Sequence, residues 1–148
     1  MSAARHIDHE APVLIVGGGL VGLSAAMLLA QHGIASLVIE RLRGGSPLPR
    51  AAHFHLRTLE IFRAAGIEDQ VRKQSDKEFL PEGAIIAMDS LSGNKLADII
   101  GSLNEGVEAV SPCRRLFISQ PGLEPILRKR ADQAGARRLE GVEIAGLT

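Results

Sequence analysis

Residues 13–40, VLIVGGGLVGLSAAMLLAQHGIASLVIE, decide the fold. Val13 to Val16 is a short apolar run with β-branched residues, the composition of a strand buried on both faces in a parallel sheet. Leu20 to Gln31 is rich in alanine and leucine and stops at His32-Gly33, where Gly33 suits the position just past a helix end. Ser36 to Glu40 repeats the buried-strand pattern. The stretch therefore predicts two parallel strands joined by one helix, a right-handed βαβ unit.

The turn into the helix reads Gly17-x-Gly19-x-x-Gly22, with Ala26 further along and Glu40 closing the second strand. Gly17 lets the chain turn sharply off the strand, and Gly19 removes a side chain where backbone must approach a pyrophosphate. Gly22 and Ala26 let helix and strand pack closely. The helix start, carrying Leu20 and Val21, turns free N–H groups and a positive dipole end toward the phosphates. Glu40 can accept hydrogen bonds from both hydroxyls of an adenosine ribose, and its charge would repel a 2′-phosphate; Arg41 follows it at the same rim. A glycine turn alone can be mere tight packing, but strand, helix and acid at these spacings favour a dinucleotide. Up to Glu40, FAD and NAD fit equally well.

Composition narrows the class. A chain of 148 residues with 45% apolar and 23% charged residues supports one packed globular domain or part of a larger one. Lys plus Arg equals Asp plus Glu at 17 each, so no net field favours nucleic acid or an anionic membrane. Four phenylalanines with no Tyr or Trp leave few platforms for stacking bases. The single cysteine, Cys113, permits no intrachain disulfide, and a cytoplasmic home is expected. Val13 to Ala30 carries no charge, but Asp8 and Glu10 precede it and glycines interrupt it, so no membrane segment is expected.

Working outward, residues 1–11 read as a loose extension and residues 12–148 as the ordered part. Residues 41–50 are a Gly- and Pro-rich loop, and a helix is predicted from about Ala51 to Ala65 with Gly66 as its stop. Leu56, Leu59 and Phe62 mark its apolar face and Arg57, Glu60 and Arg63 its polar one. Ala84 to Asp89 and Lys95 to Ile100 flank Ser92-Gly93-Asn94, a hairpin expected to leave the nucleotide-binding sheet. Pro121 opens a last helix whose Leu123, Ile126, Leu127, Ala131 and Ala134 keep helical spacing to Gly135, and Arg138 to Ile144 reads as a strand.

Residues 47–66, PLPRAAHFHLRTLEIFRAAG, resemble the Pro-Arg-Ala segment and the following Arg-Thr-x-Glu-x-x-Arg-x-x-Gly helix of the FAD-dependent aromatic-ring hydroxylases. These are single-component flavoprotein monooxygenases of the p-hydroxybenzoate and phenol hydroxylase kind. By that resemblance Arg50 contacts the pyrophosphate, where a planar guanidinium can fork two bonds onto phosphate oxygens. Residues 111–136, SPCRRLFISQPGLEPILRKRADQAGA, resemble the family's segment in which a glutamine opens a helix; Gln120 takes that place, where its amide would bond flavin ribitol hydroxyls. Its other reading is a helix cap or an exposed polar residue.

The resemblance runs from about Val13 to Ala136 and implies an α/β fold: an incomplete Rossmann-type FAD/NAD(P)-binding domain with the start of a β-rich substrate domain, to which residues 80–110 would contribute a hairpin. It implies FAD as cofactor, NADPH or NADH and O2 as co-substrates, and hydroxylation of a small aromatic ring. The family's downstream Asp-Gly and Gly-Asp dipeptides do not occur in this sequence. The chain is accordingly read as the N-terminal piece of a longer enzyme, inactive alone and without a catalytic residue of its own. The alternatives are another FAD- or NAD-dependent oxidoreductase and a non-catalytic nucleotide-binding segment.

Other residues receive plain readings. His53 and His55, two apart on the predicted helix, would point to different faces, so no metal pair is expected. Cys113 has no base supplied by any pattern and is read as a packed thiol. Arg114-Arg115 and Arg128-Lys129-Arg130 are read as solvated faces rather than as a phosphate site for NADPH.

Overall fold

The computed structural model describes residues 9–45, 52–81 and 83–146, so Arg50 lies outside the described residues. In chain order the elements are β1 (Val13–Val16), α1 (Leu20–Gln31), β2 (Ser36–Glu40), β3 (His53–Phe54), α2 (Leu56–Ala64), α3 (Glu68–Glu78), β4 (Ile85–Met88), β5 (Lys95–Ile100), β6 (Leu116–Phe117), α4 (Gln120–Gln133) and β7 (Arg137–Glu140). They fall into two compact units, residues 1–45 with 127–148, and residues 46–126.

The first unit carries the predicted βαβ unit. Its sheet has the order β1-β2-β7, parallel throughout, with Val13 opposite Ser36 and Glu40 opposite Glu140. In α1, Leu23, Ala26 and Met27 are sealed at 1% exposure or less, and Gly33 adopts φ +71 just past the helix end, as a glycine there can. β1 departs from expectation. Among the described residues it pairs on one side alone, with β2, and Leu14 and Val16 are 44% and 63% exposed, so one of its faces is open. β7 is also shorter than predicted, ending at Glu140 before Gly141, where φ is +74 and a Cβ would meet the Arg43 side chain at 2.6 Å. The next residue, Val142, donates its N–H to the Glu40 carbonyl at 3.1 Å. Arg138 is engaged by Asp132 at 2.8 Å and by Glu140, and Arg128 lies 3.5 Å from Glu140, so part of the cationic run is paired.

The second unit contains the largest correction. The helix expected from Ala51 begins at Leu56, because His53 and Phe54 are extended and pair antiparallel with Phe117 and Leu116. His55 keeps an extended conformation at the helix entry, and the His53 ring stacks on Phe117 at 4.8 Å. On this extended segment His53 and His55 share a side, with ring centroids 4.8 Å apart, rather than diverging as on a helix. Among the described residues no group of three or more ligating side chains could hold a metal ion.

α3 was not foreseen. Its sequence EDQVRKQSDKE offers little apolar rhythm, yet Glu68 and Asp69 in its first turn and Lys77 in its last suit the helix dipole. Buried Glu68 accepts from Arg63 Nε at 2.5 Å and Arg72 Nη2 at 2.6 Å. Leu59, Phe62, Ile67, Val71, Cys113, Ile118 and Leu123 form the core of this unit. β4 and β5 form the predicted hairpin, pairing among the described residues with each other alone, and Leu91, Leu96 and Ile99 stand exposed on it. Among the described residues no helix is long and apolar enough to cross a membrane; the uncharged run is divided into β1, the glycine turn and α1.

Candidate functional site

The site grows from the turn between β1 and α1. Gly17 adopts φ +103, a conformation that strains any L side chain, and a Cβ built on it would meet nothing within 4 Å, so the space before the turn is open. Its N–H donates to the Ile39 carbonyl at 2.8 Å, fixing the turn to the end of β2. A Cβ at Gly22 would lie 1.9 Å from the Gly17 carbonyl oxygen and 3.2 Å from Ile15 Cγ2. The helix thus abuts the turn itself, a nearer obstacle than the strand packing assigned to Gly22 from sequence.

Gly19 is the residue at the α1 entry, with φ −79 and ψ −167 and no side-chain cap. The first turn carries no acid, and Val21 is 85% exposed. The N–H groups of Leu20, Val21 and Gly22 therefore stand at the positive end of a 12-residue helix, suited to an anion.

Glu40 closes the other side. Its Oε2 accepts the Gly18 N–H at 2.6 Å and its Oε1 accepts the Leu42 N–H at 2.7 Å. The Leu42 bond above all holds the carboxyl below its ordinary value; burial opposes this, and the Gly18 and Arg41 N–H groups with the Arg41 charge reinforce it. Each oxygen retains a lone pair, so the ionised carboxylate can still receive a diol. Gly18 was not singled out from sequence, although a Cβ there would stand 2.9 Å from Glu40 Cβ. The only signal was its place in an unbroken run of three glycines, Gly17 to Gly19.

Beside this acid opens a cleft of about 240 Å³, walled by Val16, Ile39, Val142 and Ile144 with Glu40 and Arg41 at its rim. Arg41 lies 3.6 Å from Glu143, both side chains being exposed. Sequence reasoning missed Val142 to Ile144 because it continued the last strand through them. Apolar walls for a flat base, an acid for a diol and a bare helix start for phosphates are the donor set that the adenosine diphosphate half of FAD requires.

Gln120 belongs to the second unit. It opens α4 after Ser119, whose Oγ accepts the Gly122 N–H at 3.2 Å, and it is buried at 9% exposure. Its Nε2 donates to Glu124 Oε1 at 2.5 Å, so it is neither an exposed residue nor the cap. Glu78 anchors the same helix start by accepting the Ser119 N–H at 2.7 Å, and a Cβ on Gly122 would lie 2.1 Å from Glu78 Oε1.

Comparison with known proteins places this geometry. Residues 10–148 match the protein family described as an FAD binding domain. The 4-methyl-5-nitrocatechol 5-monooxygenase of a Burkholderia species is 49% identical over 140 residues, covering 95% of this chain and 26% of that protein. Aklavinone 12-hydroxylase RdmE of Streptomyces purpurascens is 41% identical over 132 residues, covering 86% of this chain and 25% of that one. Among solved structures, a ternary complex of aklavinone-11 hydroxylase with FAD and aklavinone superposes with a TM-score of 0.76 at 38% identity, over 92% of this chain and 26% of that chain. The flavin-dependent monooxygenase PieE in complex with FAD and substrate gives 0.78 at 32% identity, over 92% and 24%. The chain thus spans about a quarter of the length of the curated relatives it matches.

Proposed function

Because the chain belongs to the FAD binding domain family, we propose that it is the FAD-binding segment of a flavin-dependent monooxygenase that hydroxylates a small aromatic ring with NADPH or NADH and O2. The observation that carries this reading is the clamp of Glu40 by the Gly18 and Leu42 N–H groups beside the uncapped start of α1. Relatives named as monooxygenases and hydroxylases of nitrocatechol and aklavinone support an electron-rich phenolic or polyketide ring as substrate. Zero net charge and a single cysteine support a cytoplasmic home and a small-molecule rather than a nucleic-acid partner.

Each residue has a defined part in holding the cofactor. Glu40 accepts the ribose hydroxyls, and Arg41 flanks the adenosine at the rim. Gly17 and Gly19 admit the pyrophosphate to the N–H groups of Leu20, Val21 and Gly22. Arg50 adds a forked cationic contact to the same phosphates. Gln120 bonds the ribitol once its amide reorients from Glu124. When bound, the flavin supplies the redox chemistry, and the protein's work is to position it and exclude water. The β4–β5 hairpin belongs to the substrate domain, since an isolated two-stranded hairpin with exposed apolar side chains needs further strands or a helix against it.

Purified protein should be yellow and release FAD on denaturation. Replacing Glu40 or Arg50 by alanine should cost about 1–3 kcal/mol of FAD binding, the size of a charged hydrogen bond. Unchanged flavin occupancy in both variants, or NAD binding without flavin, would overturn the reading.

A further inference from the structure

The second unit holds another cavity, of about 240 Å³, with Arg72, Ser75, Asp76, Arg114 and Arg115 in its wall. Three arginines and one carboxylate line it, and among the described residues Arg72 alone of the three is paired with a carboxylate, Glu68, at 2.6 Å. Arg115 is the unusual member. It is half-buried, its Nη1 donates to the Leu103 carbonyl at 2.7 Å, and its own N–H donates to Asn104 Oδ1 at 2.8 Å, so the residue is held in place. Its Nε–H is buried and finds no acceptor among the described residues. Neither Arg114 nor Arg115 has a carboxylate partner among the described residues. The dipeptide that reads from sequence as a solvated face thus has Arg114 exposed and Arg115 half in the protein, a fixed cation without a counter-charge among the described residues. Such a group is costly to keep desolvated unless an anion completes it.

We propose that this cavity binds a phosphate monoester dianion, gripped by Arg115 and Arg114 and flanked by Arg72 and the Ser75 hydroxyl. Planar guanidinium forks match phosphate oxygens, and Arg114 and Arg115, which no carboxylate among the described residues pairs, bring two positive charges to a dianion. The group can arrive as free phosphate or as the monoester of a nucleotide such as the 2′-phosphate of a nicotinamide cofactor. This inference is independent of the FAD reading, because all its residues lie in the second unit.

The test is calorimetric titration of the full chain, with and without added FAD, using inorganic phosphate, 5′-AMP and 2′,5′-ADP. Saturable one-to-one binding is expected, weakened about tenfold or more in Arg114→Gln and in Arg72→Gln. Arg115→Lys, which keeps the charge and loses the fork, should fall between the wild type and Arg114→Gln. Tighter binding of 2′,5′-ADP than of phosphate and 5′-AMP assigns the site to a nucleotide 2′-monoester, and equal binding assigns it to free phosphate; either supports the proposal. Lys73→Gln removes a charge from α3 outside the cavity and should change nothing. Absence of saturable binding, or equal weakening by Lys73→Gln and Arg114→Gln, overturns it.

Discussion

The Gly18 N–H and Glu40 Oε2 meet at 2.6 Å across 22 residues of sequence, joining the glycine turn to the end of β2. The contact needs a residue without Cβ, which would otherwise stand 2.9 Å from Glu40 Cβ. Gly18→Ala should displace the acid and weaken FAD binding by about 1–2 kcal/mol, read by flavin fluorescence titration. Glu40→Gln keeps the shape and loses the charge, and should weaken FAD by a similar amount. A Gly18→Ala protein with wild-type affinity would separate the acid from the site.

The same bonds set a pH dependence. Glu40's carboxyl lies below its ordinary value of 4.5 in the folded chain, chiefly through Leu42, so the ionised form is favoured by folding. That contribution to stability is complete above the ordinary value and is lost as pH falls through the lower, folded-state one. Melting curves of wild type and Glu40→Gln should therefore run parallel near neutrality and converge in acid, with the wild type losing more.

Gly22 presents a steeper demand. An added methyl would sit 1.9 Å from the Gly17 carbonyl oxygen, a backbone atom that cannot step aside without moving the turn. Gly22→Ala should destabilise the chain by about 1–3 kcal/mol as overpacking does. Gly17→Ala meets open space and should cost about 1–2 kcal/mol through its positive φ. Thermal unfolding of both checks the order.

These positions explain what the sequence could and could not reveal. β1, α1 and β2 were legible to the residue because each lies within one short apolar segment punctuated by glycine. The turn at Gly17 and the place of Glu40 at the end of β2 were legible for the same local reason. The start of α2 was not, since His53 and Phe54 are drawn into a strand by Leu116 and Phe117, more than sixty residues away. α3 escaped because the face it buries is Glu68, Val71 and Ser75, with one apolar residue among them and Glu68 held by two arginines. Gly18 escaped because its constraint is Glu40, a neighbour only after the sheet forms. The apolar cleft wall at Val142 and Ile144 likewise exists only through β2–β7 pairing.

Glu68 permits a direct test of that account. Burial pushes its carboxyl up, and the bonds from Arg63 and Arg72 outweigh this and hold it low. Glu68→Ala should cost about 1–3 kcal/mol, because the charged hydrogen bonds are lost while both arginines remain partly solvated. In the wild type the contribution should be lost as pH falls from the ordinary carboxylate value through the lower folded-state one, and the variant should lack this acid limb. A neutral substitution would return α3 to being a helix held by something other than this ion pair.

Cys113 supplies the last prediction. Its side chain is 1% exposed in the second unit's core, and burial, reinforced by the Glu68 charge, raises its thiol above the ordinary 9.0 while Arg63 opposes. Reaction with iodoacetamide requires both thiolate and access, and here each is suppressed. Alkylation of the folded protein near pH 7.5 should proceed only through opening of the core, orders of magnitude slower than in denaturant. Glu68→Ala, by loosening the same core, should accelerate it, and mass spectrometry of timed samples reads both rates. Rapid labelling of the native wild type would mean that the thiol is reached without opening, contrary to its position beneath α2 and α3.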